Sequence, residues 1–179
     1  PQVRERTVAK ARTLLEALPF MREHHGKVIV VKYGGAAMDT VGLASSFAED
    51  ISLLQSAGIT AVVVHGGGPQ VTHVSERLGI ETTFVDGLRV TDAETLDVAT
   101  MVLARKQSGP DLGFVGEVVH VNASVLRTLT DQRFVPVVAS IAVDETTGQA
   151  YNVNADVVAS QLAIELGAEK LVYINDVPG

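Results

Sequence analysis

The chain has 179 residues, about the length of one ordinary domain, and its 14 Lys and Arg against 21 Asp and Glu give a formal net charge of −7. This acidic balance argues against a broad nucleic-acid interface, which needs clustered positive charge. The absence of cysteine excludes disulfides and thiolate chemistry. Because no apolar run is long enough to cross a bilayer and the first residues lack a signal-peptide pattern, we expect a cytoplasmic protein without membrane or nucleic-acid partners.

Residues 1–25 predict an amphipathic helix that precedes the rest of the fold. Its apolar stripe consists of Val8, Ala11, Leu14, Leu15 and Leu18. Pro19 follows this stripe, and a proline at such a position kinks or restarts a helix. The stripe must pack either on its own domain or on another subunit, and its position alone leaves both readings open.

Four β-branched runs predict strands of an open, mainly parallel sheet. Residues 28–35, 61–68 and 170–179 are continuous apolar stretches that end in glycine or polar residues, as expected of strands buried on both faces. Residues 134–140 are a fourth run, in which Pro136 removes one backbone donor. Residues 115–122 alternate in polarity, which is typical of a half-exposed strand or hairpin.

Segments with helical spacing of apolar residues lie between these runs and complete an α/β pattern. One helix carries Phe47, Ile51 and Leu54 on its buried face and should end near Gly58. The other three predicted stripes are Val71, Val74 and Leu78; Leu96, Ala99, Val102 and Leu103; and Val157, Val158, Leu162 and Leu166. Alternating strands and helices predict a parallel sheet sandwiched between helices.

Two glycine-rich loops follow predicted strands, at residues 32–35 and 65–68. In open α/β sheets, ligands bind beyond the carboxyl ends of the strands, where glycines let the backbone approach an anion. A single loop of this kind is better explained as a tight turn, but two of them beside Lys32 favour phosphate binding. Lys32 either extends to solvent or places its charge on a phosphoryl group during transfer, and the adjacent glycines favour the second role.

The known nucleotide fingerprints are absent. No P-loop pattern occurs, and the dinucleotide pattern fails because Val71 stands at its third glycine position. Residues 152–156 contain three polar side chains before a predicted helix, more than one N-cap requires. Arg89 follows a glycine and could bind a carboxylate through two hydrogen bonds, although by itself it would be read as a surface residue.

Taken together, these segments resemble the amino-acid kinase family. The segments that carry the resemblance occur in the family's order from residue 26 onward: VVKYGGAAM, VVVHGGGPQV, GLRVTD, the predicted helix with Leu96 to Leu103, DLGFVGEV, FVPVVAS, YNVNAD and LGAEKLVYINDVPG. The resemblance implies transfer of the γ-phosphoryl group of ATP, carried with Mg²⁺, to the side-chain carboxylate of N-acetyl-L-glutamate in arginine biosynthesis. A sister enzyme acting on carbamate, aspartate, glutamate or a nucleoside monophosphate is the close alternative.

The resemblance also implies a role for each matched residue. Lys32 and Asp156 correspond to catalytic positions: the lysine stabilises the transferring phosphoryl group, and the aspartate orients catalytic lysines. Gly34 and Gly35 correspond to the loop beside the ATP phosphates. The expected substrate-binding residues are Gly67, Gly68, Arg89 and Asn152. No residue is expected to form a dedicated metal site.

The N-terminal stripe resembles the helix through which arginine-inhibited members form dimers or hexameric rings, so we expect a homo-oligomer and possible feedback inhibition by arginine. Residues 26–179 then form the amino-acid-substrate lobe, without the nucleotide lobe that family members carry.

The chain departs from the family pattern between Lys106 and Gln107. The family has a further helix, a strand and a variable hairpin at this point. We therefore expect the 179 residues to be the retained part of a longer enzyme. A non-catalytic fragment or oligomerisation module is the alternative from another functional class.

Overall fold

The computed structural model describes residues 2–34, 42–66, 83–85, 88–90, 102–108 and 112–175. The helices in these ranges are α1 Gln2–His24, α2 Leu43–Ser56, α3 Ala123–Asp131 and α4 Ala155–Leu166. The strands are β1 Val28–Tyr33, β2 Thr60–His65, β3 Thr83–Val85, β4 Leu88–Val90, β5 Val102–Lys106, β6 Gly116–Val121, β7 Val137–Ala139, β8 Ile141–Val143, β9 Ala150–Asn152 and β10 Lys170–Ile174.

The main sheet has the strand order β10-β1-β2-β7, and every pair in it is parallel. All four β-branched runs contribute a strand to this sheet, so the prediction of an α/β fold with a mainly parallel sheet is confirmed. The fourth run forms a strand of only three residues, which starts directly after Pro136. The carbonyl of Pro136 still accepts a hydrogen bond from Val63 N at 2.9 Å.

The two faces of this sheet pack into separate cores because successive side chains of a strand point to opposite sides. Val30, Val62 and Val64 pack with α4 and the second sheet. Ile29, Val31 and their neighbours pack on the other face against α2, which contributes Phe47, Ile51 and Leu54 as predicted. Helices therefore cover both faces.

A second sheet has the order β6-β5-β8-β9. Strands β5 and β6 are antiparallel, and β6 is half exposed as predicted, since Gly116 and Val121 are buried. Its burial does not alternate strictly, because the consecutive residues Val119 and His120 are both exposed. Strand β5 also pairs with β8 in parallel, and β8 pairs with β9 in antiparallel fashion. Helix α4 contacts β1 of the main sheet and β6 of the second sheet, so it lies in the larger core.

One helix prediction is wrong in part. Val102 and Leu103 were assigned by spacing to a helix that begins near Leu96, but both lie in strand β5. Val102 and Ala104 are buried in the larger core, and the backbone of β5 pairs with β6. Tertiary pairing thus overrides a short apolar run that fits either period. Leu96, Ala99 and the predicted helix with Val71, Val74 and Leu78 lie outside the described residues.

Helix α1 forms as predicted, but it continues through Pro19 and does not restart there. Leu14, Leu15 and Phe20 are exposed on this helix, whereas His24 at its end is buried. None of the described helices combines the length and the apolar content that a membrane crossing requires. The predicted end of α4 at Gly167 is confirmed, since this residue adopts φ 63°, a left-handed conformation that suits glycine.

Candidate active site

The carboxyl ends of β1, β2, β7 and β10 lie at one edge of the main sheet because the four strands are parallel. We call this the carboxyl edge; it contains residues 32–34, 65–66, 139–140 and 174–175. The first turn of α4 reaches the same edge, as shown by the contact of its Asp156 with Lys32 at the end of β1. The predicted convergence of strand ends is therefore present.

Lys32 and Asp156 form an ion pair at this edge. Lys32 Nζ lies 2.9 Å from Asp156 Oδ1. The Lys32 side chain is 14% exposed and that of Asp156 is 54% exposed, so the pair is desolvated mainly on the lysine side. A charge-assisted contact of this length in a partly dry site holds the ammonium group against the carboxylate.

The start of α4 explains why Asp156 faces the sheet. Asn154 is the N-cap, and its Oδ1 accepts hydrogen bonds from Asp156 N at 2.8 Å and Val157 N at 3.3 Å. This bears out the expectation that one polar residue of the 152–156 segment serves as a cap. Asp156 lies in the first helical turn, where the positive end of the helix dipole favours a carboxylate.

Gly34 gives Lys32 the space to fold back over the strand end. A Cβ atom at position 34 would lie 2.8 Å from Lys32 Nζ, closer than such contacts normally allow. Gly34 N also donates a hydrogen bond to Ile174 O at 3.2 Å. The glycine therefore serves two purposes: it links β1 to β10, and it leaves room for the ammonium group.

Ser140 supports the second glycine loop, a role that sequence reasoning did not identify. Ser140 is 3% exposed, and its Oγ donates to Gly66 O at 3.0 Å. Its backbone N donates to His65 O at 3.1 Å, and its carbonyl accepts from Val153 N at 2.9 Å. A serine at the end of the β-branched run 134–140 was the available signal, but only the fold shows which loop it contacts.

His65 lies beside this loop at the end of β2. Its ring is partly buried, and its Nδ1 has no hydrogen-bond partner. Burial lowers the pKa of His65 from its ordinary value of 6.5, so the imidazole is neutral near pH 7. The ring borders a mainly apolar cavity of about 500 Å³, whose other walls include Tyr33 and Phe47, stacked with ring centroids 4.1 Å apart.

The other predicted site residues are placed only in part. Asn152 ends β9, is partly buried and donates its backbone N–H to Phe114 O at 2.8 Å. Arg89 lies in β4, in a hairpin with β3, and its side chain lies outside the description. Gly35, Gly67 and Gly68 also lie outside the described residues. Of the predicted set, the structure brings together Lys32, Gly34 and Asp156.

The sequence of the chain is similar to those of known proteins. The sequence profile of the amino acid kinase family matches residues 27–108 and 102–179. The chain belongs to the amino acid kinase family. Acetylglutamate kinase from Hydrogenobaculum sp. (strain Y04AAS1) is 43% identical, with 98% of this chain and 74% of the relative covered. The enzyme of that name from Acidothermus cellulolyticus is 46% identical, with coverage of 96% and 71%.

The same comparisons support the predicted internal departure. The alignment with the Hydrogenobaculum relative spans 211 residues, more than the 179 of the whole chain, so the relative carries additional residues inside the aligned region. The two profile matches overlap at residues 102–108, which include Lys106 and Gln107. This stretch fits the family pattern both as the end of the first part and as the start of the second. In the structure most of it forms β5.

Solved structures show the same fold. N-acetylglutamate synthase from Neisseria gonorrhoeae, solved with coenzyme A and N-acetyl-glutamate, superposes with a TM-score of 0.76 at 23% identity, over 92% of this chain and 45% of that one. Carbamate kinase from Giardia lamblia superposes with a TM-score of 0.59 at 17% identity, over 85% and 72% of the two chains.

Proposed function

We propose that this protein is an acetylglutamate kinase, which transfers the γ-phosphoryl group of ATP to the γ-carboxylate of N-acetyl-L-glutamate. Relatives of that name match nearly the whole chain at more than 40% identity. The observation that carries the proposal is the Lys32–Asp156 pair at the carboxyl edge, next to Gly34. An amino-acid kinase needs a fixed cation at this edge, and the chain supplies one.

The reaction requires charge neutralisation and no covalent enzyme intermediate. A carboxylate oxygen of the substrate attacks the γ-phosphorus while the bond to the ADP oxygen breaks, which yields an acyl phosphate and ADP. Negative charge spreads over the equatorial oxygens of the phosphoryl group in transfer. Lys32 stabilises this charge, and Asp156 keeps the ammonium group in position before and during the transfer.

The other predicted residues and the metal ion have the following roles in the proposal. Gly35 lines the ATP phosphates with Gly34, and the acetylated amino acid is held by residues 67–68, Arg89 and Asn152. Mg²⁺ screens the phosphate charge and arrives with ATP. A cytoplasmic location, a homo-oligomer formed through α1 and inhibition by arginine remain predictions.

An ADP-release assay on the protein at its natural length tests this proposal. ADP formation should depend on both ATP and N-acetyl-L-glutamate, and the acyl phosphate should be trapped by hydroxylamine. Aspartate, glutamate, carbamate and a nucleoside monophosphate serve as alternative acceptors. Faster turnover with any of these would assign the protein to a sister enzyme. No turnover with any acceptor would favour a non-catalytic fragment, and both results would overturn the proposal.

A further inference from the structure

Two hydroxyl groups converge on the backbone carbonyl of Asp156. Ser160 Oγ donates to Asp156 O at 2.8 Å, and the hydroxyls of Ser160 and Tyr173 lie 2.9 Å apart. Tyr173 Oη is itself 3.5 Å from the same carbonyl. Either hydroxyl can be the donor in the contact between them, so Ser160, Tyr173 and the Asp156 carbonyl form one connected hydrogen-bond cluster.

Strand register places Tyr173 directly beside Lys32. The two residues are partners in the parallel pairing of β10 with β1, so their side chains project to the same face of the sheet. That face is covered by α4. The first turn of α4 is therefore held at two points: the Asp156 carboxylate contacts β1 through Lys32, and the Asp156 carbonyl contacts β10 through Ser160 and Tyr173.

We propose that Tyr173, acting through Ser160, is a positioning residue for the Lys32–Asp156 pair. This inference rests on the proposed kinase function and adds a residue that the sequence motifs do not assign. Lys32 carries its charge on a flexible four-carbon stem, and Asp156 is half exposed, so the ion pair alone leaves the pair able to shift. The hydroxyl chain from β10 removes that freedom by fixing the backbone from which the carboxylate extends.

A serine that bonds the carbonyl four residues earlier is common inside helices and by itself indicates only a local backbone contact. The tyrosine distinguishes this case. Its hydroxyl connects strand β10 to helix α4. On the helix it contacts Ser160 and the carbonyl of Asp156, the residue that pairs with Lys32. A purely local serine contact would make the tyrosine hydroxyl dispensable for turnover.

The variant Tyr173→Phe removes the hydroxyl and keeps the ring. We expect kcat to fall about threefold to tenfold, the range that one lost hydrogen bond supports, while KM for N-acetyl-L-glutamate stays within about twofold. Ser160→Ala should give a similar loss, and the double variant should lose no more than the larger single one. Tyr151→Phe, which removes a tyrosine hydroxyl on β9, is the matched control and should keep wild-type kcat.

Two further measurements separate positioning from general structural support. In an Asp156→Asn background, Tyr173→Phe should change kcat by less than about twofold, because the carboxylate it positions is gone. Amide hydrogen exchange in Tyr173→Phe should be faster in the first turn of α4 and unchanged in α2. Wild-type kcat in Tyr173→Phe, or an undiminished effect in the Asp156→Asn background, would overturn the inference.

The outcome is separable from that of the proposed function. A wild-type protein without acetylglutamate-dependent ADP release would overturn the proposed function. The hydrogen-exchange comparison would then test by itself whether Tyr173 fixes the first turn of α4. Faster exchange confined to the first turn of α4 would support it. Equal exchange in wild type and Tyr173→Phe would refute it.

Discussion

Two lysines near opposite ends of β1 differ in their exposure and in their ion pairs. Lys27 precedes β1 at the amino edge of the main sheet, is 53% exposed and pairs with Glu169 at 3.8 Å. Lys32 lies at the carboxyl edge, is 14% exposed and pairs with Asp156 at 2.9 Å. Both residues are lysines near the ends of β1, so their different surroundings reflect the edge of the sheet at which each side chain lies.

The difference shows that one edge of a parallel sheet can hold a solvated charge while the other edge holds a partly buried charge suited to catalysis. At the carboxyl edge, Gly34, two residues after Lys32, and the N-terminus of α4 together create a partly dry site for one cation. At the amino edge, the cation stays in water, where an ion pair contributes little to stability and cannot concentrate charge on a substrate. We therefore expect function to respond to changes at the carboxyl edge alone.

The largest effect is expected from removing the cation at the carboxyl edge. Lys32→Ala should lower kcat by roughly 10²-fold to 10³-fold, since a preorganised charge on the phosphoryl group is lost. Lys27→Ala makes the same substitution at the amino edge and should keep turnover near that of the wild type. Steady-state ADP release with saturating ATP measures both. Equal losses in the two variants would contradict the functional asymmetry of the edges.

The next effect comes from a methyl group beside the ammonium. Gly34→Ala places a Cβ 2.8 Å from the present position of Lys32 Nζ, so the flexible side chain must move away. Displacement of a catalytic group by about 1 Å can cost up to about 10²-fold in rate, so we expect kcat to fall at least about tenfold. Thermal unfolding should change little, because the clash is with the end of a flexible side chain. A large loss of stability with normal kcat would refute this explanation.

A pH effect on stability is expected from His65 at the carboxyl edge. Burial lowers the pKa of this histidine in the folded state, so the unfolded state binds a proton more readily. The resulting stabilisation is present above the ordinary pKa of 6.5 and is lost as the pH falls through the lower folded value. Urea unfolding at about pH 7.5 and about pH 5.5 should show a smaller loss of stability in His65→Gln than in the wild type. An identical loss would contradict the assignment.

The smallest effect is expected at the amino edge. Glu169→Gln removes the charge that pairs with Lys27, but both side chains are about half exposed. Exposed ion pairs contribute about 0–1 kcal/mol, so the free energy of unfolding should change by less than about 0.5 kcal/mol. Urea unfolding at low and high salt measures it. A change well above 1 kcal/mol would show that the amino edge is not the solvated region described above.

Hydrophobic pattern and turn residues predicted much of the fold. The runs at β1, β2 and β10, the face of α2 and the glycine end of α4 follow from β-branched content, helical spacing and left-handed glycine. The helix assigned to Val102 and Leu103 failed because a short apolar run is compatible with either period, and pairing with β6 decided it. Of the two outcomes predicted for Pro19, a restart of the helix does not occur, since α1 continues through this residue.

The position of Lys32 at the end of a strand and its positive charge were enough to predict it as a phosphate-binding residue. The polar cluster before α4 identified Asp156 only as one of several candidates. Which member of that cluster caps the helix and which one meets the lysine was decided by the tertiary structure, because residues far apart in the chain become neighbours only when α4 packs on the sheet. The same packing brings Ser140 to the second glycine loop and the hydroxyls of Ser160 and Tyr173 to the carbonyl of Asp156. Local sequence determines the periodicity of each helix and strand and the positions of the turns. The distances between catalytic groups depend on how these elements pack against one another, which no single segment of sequence determines.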